Sequence, residues 1–344
     1  MANKERYSSL DGARAYSAIL IVLMHIHANS NYHTPLYDNL AVGPFLNNLT
    51  FFFMIISGFS LCCGYYQRQD ISWSVFYKKR FTKIWPFFAL LVLIDYLVSP
   101  SLNSLFEMFA DLTLCFGLLP NANISVIGVG WFLGVVFVFY LIFPFFCFIL
   151  ENKKRAWLGL LLTILFNVIC TIYFFDENHV INGFYARTNF IYCFMYFMMG
   201  GIIFLYREPI IRIGKKFRWF LLCGCVFMTI IYFGIPALGS KFVMPISMLV
   251  LYTMYLIYAI STEGFILNNK FVKFISSISL EVYLCHMFIF GILKKFMLNY
   301  ILGNNWLSFV VTFFLVLLLS VGFSLGVKMC FRQCKKLSAK RNHI

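Results

Sequence analysis

"SAILIVLMHIHANSNYH", Ser17–His33, decides the fold. It opens as an unbroken apolar run and then carries His25 and His27 at its far end, with Arg14 eleven residues before His25. Together with the residues just before it, the run covers about 12–28, the lower limit for a helix crossing a hydrocarbon core of about 30 Å. Similar runs recur to the end of the chain, at about 46–66, 84–100, 130–150, 156–175, 188–206, 218–236, 242–261, 274–293 and 306–328. Of the 344 residues, 61% are hydrophobic and 12% charged, where a soluble domain has about 45–50% apolar and about 25% charged residues. The sequence therefore predicts an all-α polytopic membrane protein of about ten transmembrane helices. A β-barrel is excluded, because its strands alternate in short segments instead of running continuously apolar.

Loop charge orients the helices. With the N-terminus inside and ten spans, 24 of the 28 Lys and Arg residues fall on the inner side, and only Arg187, Lys241, Lys294 and Lys295 fall outside. The shorter segment 104–119, "SLFEMFADLTLCFGLL", tests that choice. As an eleventh span it would put the 207–218 basic cluster and the basic tail outside, so it is expected to be re-entrant or interfacial. Both termini are then cytoplasmic. Residues 1–330 form one membrane domain, and 331–344 a basic cytoplasmic tail. The first run is followed by no small-residue cleavage site and is expected to stay as a helix.

The net charge of +15 belongs to this loop pattern and predicts contact with membrane lipids, not a nucleic-acid partner. The eleven cysteines contain no CxxC pair, so neither a zinc site nor a disulfide framework is expected, and no metal is implied.

Four stretches hold polar chemistry where lipid disfavours it. Residues eleven apart on a helix are about 20° past three full turns and about 16 Å along the axis. Arg14 and His25 therefore share a face, Arg14 at the inner mouth and His25 in the outer half. Ionisable groups inside a membrane mark functional sites by default; a hydrogen bond to a neighbouring helix is the plainer explanation. His27 is expected to point away, and Asp11 to pair with Arg14 or cap the helix. In the second stretch, "YKKRFTKIWP" (Tyr77–Pro86) clusters bases that suit phosphates and equally satisfy the positive-inside rule. The third, "GVGWFLGVVFVFYLIFP" (Gly128–Pro144), carries Trp131 and Tyr140, the latter too deep for an aromatic belt. "SISLEVYLCHMF" (Ser277–Phe288), the fourth, carries Glu281 and His286, about 140° apart on a helix. Asp95 is a further intramembrane carboxylate.

In their order and spacing these stretches resemble membrane acyltransferase family 3, the integral O-acyltransferases of bacterial polysaccharides. Arg14 in "LDGARAY" and His25 in "LMHIH" match the arginine and histidine of the family's first helix. "FFFMIISGFSL", with Ser57 and Gly58, matches its second. Arg80 matches the first arginine of an RxxR loop pattern, and Lys83 stands at the second. Trp131, Phe139, Tyr140 and Pro144 follow the fourth-span pattern, and Ser279, Leu280, Glu281, Tyr283, Leu284 and His286 the late one. Two positions depart. Lys83 keeps the charge and loses the bidentate fork of arginine, and Val136 stands where many members carry a glutamate.

The resemblance implies an enzyme in a bacterial inner or plasma membrane, taking an acyl group, expected to be acetyl, from cytoplasmic acyl-CoA to a sugar hydroxyl of a cell-surface or lipid-linked glycan. It implies Arg14, Arg80 and Lys83 on the phosphates of acetyl-CoA, and His25 as the base or acyl carrier. Glu281 is the first candidate to orient His25 in place of the missing carboxylate, and Trp131, Tyr140 and His286 are expected on the acceptor side. A proton-coupled transporter or flippase of a glycolipid or sugar is the alternative. A non-catalytic membrane subunit is a third reading, which leaves Arg14, His25 and Glu281 unexplained.

Overall fold

In a computed structural model, residues 7–39, 42–66, 72–118, 128–174 and 186–341 are described. Among them there is no strand. The chain enters through α1 (Ser9–Ala28), passes two short helices, α2 (Pro35–Asn39) and α3 (Val42–Asn47), and continues into α4 (Leu49–Tyr65) and α5 (Trp73–Val98). Next come α6 (Leu102–Leu112), α7 (Trp131–Leu141), α8 (Phe143–Leu150) and α9 (Lys153–Ile169). The second half holds α10 (Phe190–Leu205), α11 (Arg207–Lys216), α12 (Arg218–Gly234), α13 (Met244–Ser261), α14 (Lys270–Lys295) and α15 (Trp306–Arg341).

All ten apolar runs fall on helices. Seven are long and apolar enough to span, and nine qualify if each of two bent pairs counts as one. The pairs are α7–α8, bent by 59°, and α10–α11, bent by 79°. In the first, Pro144 sits in the opening turn of α8, where a missing N–H costs nothing but a straight helix cannot continue. The remaining run is α12, whose 17 residues sit at the lower limit for a span. Length and composition support seven to nine spans among the described residues, and a tenth would rest on α12. Asparagine side chains open three of these helices: Asn152 at α9, Asn189 at α10 and Asn269 at α14. Each accepts from backbone N–H groups that have no partner inside the helix.

The segment after α5 folds back along that helix. Its α6 is an 11-residue helix, about 16 Å long, running back alongside α5. At its end Trp85 Nε1 donates to the Leu112 carbonyl at 2.9 Å, next to the basic start of α5. The chain then reverses through Leu114, fully buried at φ 57°, a conformation costing a branched residue about 1–2 kcal/mol. A short 3₁₀ turn, Cys115–Leu118, packs against the middle of α7.

The core centres on α4. Of its span 78% is buried, against 22% for α15, so α4 is enclosed by protein and α15 faces outward. The tightest crossing is α4 on α10, where Gly58 and Gly200 meet. A Cβ on Gly58 would run into the Phe197 carbonyl, and one on Gly200 into the Ile55 carbonyl. Close backbone approach through small residues is how membrane helices gain packing without a hydrophobic driving force. Gly58→Leu must push rigid backbone aside and is expected to cost at least the 1–3 kcal/mol typical of overpacking. It should lower the melting temperature in detergent by several degrees, and Gly64→Leu, with open space at its Cβ, serves as the neutral control.

Candidate active site

α1 and α14 pack side by side, both running from the basic end of the molecule to the opposite end. Ser276 Oγ donates to Asp11 Oδ1 at 3.0 Å near their starts. Further along, the rings of His25 and His286 are 5.2 Å apart. These two helices are the common wall of a series of cavities.

The first cavity, about 360 Å³, opens at the basic end. Arg14, Arg80, Lys83 and Lys273 supply its cations, and Asp11 and Glu281 its carboxylates. Three helices separated in sequence, α1, α5 and α14, thus deliver charge to one place. Arg14 lies 3.6 Å from Asp11 and donates to Ser60 Oγ at 2.6 Å. Arg80 donates to the Tyr65 hydroxyl at 2.9 Å, and its guanidinium sits 5.0 Å from the Tyr65 ring centre and 5.6 Å from that of Tyr140. Aromatic faces hold a guanidinium in place without neutralising it, so Arg80 is both fixed and charged. Glu281 pairs with Lys328 at 2.7 Å.

A second cavity of about 120 Å³ continues from the first. The two share Arg14, Ser57, Lys83, Tyr140, Ser279 and Leu280. Its far walls are apolar and include Phe132, Val136 and Tyr283. There the Tyr283 hydroxyl donates to the Val129 carbonyl at 2.9 Å, and Val129 in turn lines a third cavity, of about 630 Å³. That cavity opens at the opposite end and holds His25, His27, Tyr37, Asn29, Asn47 and Arg187. The sequence of spaces runs from a charged mouth, through an apolar throat closed by Tyr283, to a polar chamber.

Arg14, Arg80 and Lys83 therefore meet at one cavity, and His25 faces another from the same helix face as Arg14. Three expectations are corrected. Glu281 does not orient His25; it lies in the basic mouth with Lys328. The turn of about 140° between residues five apart sends Glu281 and His286 in different directions. Tyr140 does not share the far side with Trp131; nine residues separate them by about 13 Å along the helix, and Tyr140 sits with Arg80. Trp131 stays at the far end, with the Arg187 guanidinium 5.6 Å from its ring centre. His286 is fully buried, lines none of the three cavities, and contacts His25 instead of any entering molecule.

Several site residues escaped the sequence reading. His27 lines the same chamber as His25. Its Nε2 is 2.6 Å from Thr34 Oγ1 and 3.3 Å from Asp38 Oδ1, and its ring stacks on Tyr37 at 3.9 Å. These partners follow after a turn, Thr34 just before the short helix α2 and Tyr37 and Asp38 within it, where helical periodicity carries no information. Arg187 and Tyr283 are likewise placed by tertiary packing alone. Among the described residues no group of histidine, cysteine, aspartate and glutamate could hold a metal ion.

A family model described as an acyltransferase domain matches residues 7–325. Neither a curated protein nor a solved structure matches the chain. The match takes in the helix that carries Arg14 and His25, all three cavities and nearly every span, and on that evidence the chain belongs to acyltransferase family 3, as a multi-pass membrane acyltransferase.

Proposed function

We propose that this protein takes an acyl group, most simply acetyl, from acyl-CoA on the cytoplasmic side and places it on a sugar hydroxyl of an envelope glycan entering from the other side. One observation carries the reading: a mouth lined by Arg14, Arg80 and Lys83 leads through an apolar throat towards the chamber of His25. Acyl-CoA has that same polarity, with phosphates at one end and a thioester at the end of a narrow, flexible arm. Arginine binds phosphate through a bidentate fork and lysine as a point charge. The positive-inside rule makes the basic mouth cytoplasmic.

In this reading His25 takes the proton as the acceptor oxygen attacks the thioester carbonyl. The C–S bond breaks, and the departing CoA sulfur receives that proton. A chamber of about 630 Å³ admits a sugar ring with neighbours, and Tyr37, Asn29 and Asn47, which line it, suit its faces and hydroxyls, with Trp131 behind Arg187. The membrane is the bacterial inner membrane, where an acyl-CoA pool meets lipid-linked glycans.

The test is direct. Purified protein in native-membrane nanodiscs, given acetyl-CoA labelled in the acetyl group, is expected to release free CoA and to pass the label to an alkali-labile ester on lipid-linked glycan. Intact acetyl-CoA together with unaided movement of glycolipid across a bilayer would replace the enzyme by a flippase.

A further inference from the structure

We propose that His286 sets the tautomer of His25. The inference deepens the reading of His25 as the base and rests on it. A base must present a lone pair to the acceptor hydroxyl, and a neutral imidazole has one lone pair and one N–H. Something must hold the N–H on the nitrogen that faces away from the chamber. In this chain Val136 stands at the position of the expected carboxylate, and Glu281 is committed to Lys328 at the other end of the site.

His286 has the chemistry for this role. Its Nδ1 lies 2.6 Å from the Tyr283 carbonyl oxygen, and a carbonyl only accepts, so Nδ1 carries the proton. Nε2 then holds a lone pair. That atom is buried and has no hydrogen-bond partner, in a side chain with no exposed surface. A buried acceptor left in this state is costly, and the ring of His25 is 5.2 Å away, centre to centre. An N–H···N bond of about 2.9 Å between two imidazoles puts their centres about 5 Å apart. The two rings already stand at that separation.

The alternatives nearby do not serve. His286 and Arg187 are the ionisable neighbours that act on His25, and a guanidinium donates only. Among the described residues neither ring nitrogen of His25 has another hydrogen-bond partner. During transfer His25 would keep its N–H on His286 Nε2 and gain a second proton on the chamber side from the hydroxyl. It would then return that proton to the CoA sulfur. His286 stays neutral throughout, a positioning residue that never touches substrate.

Two substitutions separate this role from packing. His286→Leu fills the space without an acceptor; His286→Gln restores an acceptor oxygen. Release of CoA from acetyl-CoA is measured for each against pH. His286→Leu is expected to lower kcat at least 100-fold, with KM for acetyl-CoA unchanged; a base held wholly in the wrong tautomer loses about 10⁴-fold, and a mixture loses less. His286→Gln is expected to recover at least tenfold of that loss. Ring ¹⁵N NMR of histidine-labelled protein should show one His25 tautomer in the unmodified protein and a mixture in His286→Leu. Equal kcat for the two variants and an unaltered tautomer, with His25→Ala inactive, would overturn the proposal and leave His25 as the base. Activity in His25→Ala would instead remove the reading on which it rests. Should His286→Leu fail to fold, a tautomer mixture in the unmodified protein overturns the proposal by itself.

Discussion

His25→Ala is expected to reduce acyl transfer by about 10²–10⁴-fold, the range that a positioned general base contributes. The loss should fall on kcat, because His25 lines the far chamber and not the mouth that holds the phosphates. Folding should be spared, since the side chain is only partly buried against its neighbours where it lines the chamber and makes no hydrogen bond among the described residues. Release of CoA from acetyl-CoA, measured on protein that elutes as a single species, checks both halves. His27→Ala is the matched control. Its ring is held by Thr34 and Asp38, and it is expected to affect acceptor binding more than the chemical step.

The second large effect is at the opposite end. Arg14→Ala removes a cation that lines both the mouth and the throat. A charge-assisted hydrogen bond to phosphate is worth about 1.5–3 kcal/mol, so KM for acetyl-CoA is expected to rise about 10–100-fold with kcat within a few-fold of normal. Arg14→Lys should recover part of this, because it restores charge without the planar fork. Steady-state kinetics against acetyl-CoA concentration decide the point. A fall in kcat with KM unchanged would place Arg14 at the chemistry instead of at the donor.

The two effects lie on one helix, and that much was legible in sequence. Eleven residues on an α-helix fix both the shared face and the separation of Arg14 and His25, whatever surrounds them. The all-α class was legible for a similar reason: continuous apolar runs admit only helices whose backbone is satisfied internally. The packing of the segment after α5 could not be foreseen from loop charge, because it depends on Trp85 reaching the Leu112 carbonyl.

What sequence did not yield were contacts between elements. Glu281 is an intramembrane carboxylate in want of a cation, and nothing local says that the cation is Lys328 on the last helix. Tyr140 is nine residues from Trp131, and only helix length shows that they serve opposite ends. His27 resembled a bystander two positions past His25. A turn and a short helix bring Thr34, Tyr37 and Asp38 back over it, and that return has no period to read. The span count met the same limit. The 79° bend between α10 and α11 and the short α12 are visible only once the backbone is traced.

The central claim is that acyl-CoA threads from the basic mouth towards His25. It is tested most directly by electron cryo-microscopy of the protein with a non-hydrolysable thioether analogue of acetyl-CoA. The account predicts phosphate density against Arg14, Arg80 and Lys83, with the arm running through the throat past Val136 and Tyr283. Nucleotide density in the His25 chamber, or along the lipid-facing side of α15, would contradict it.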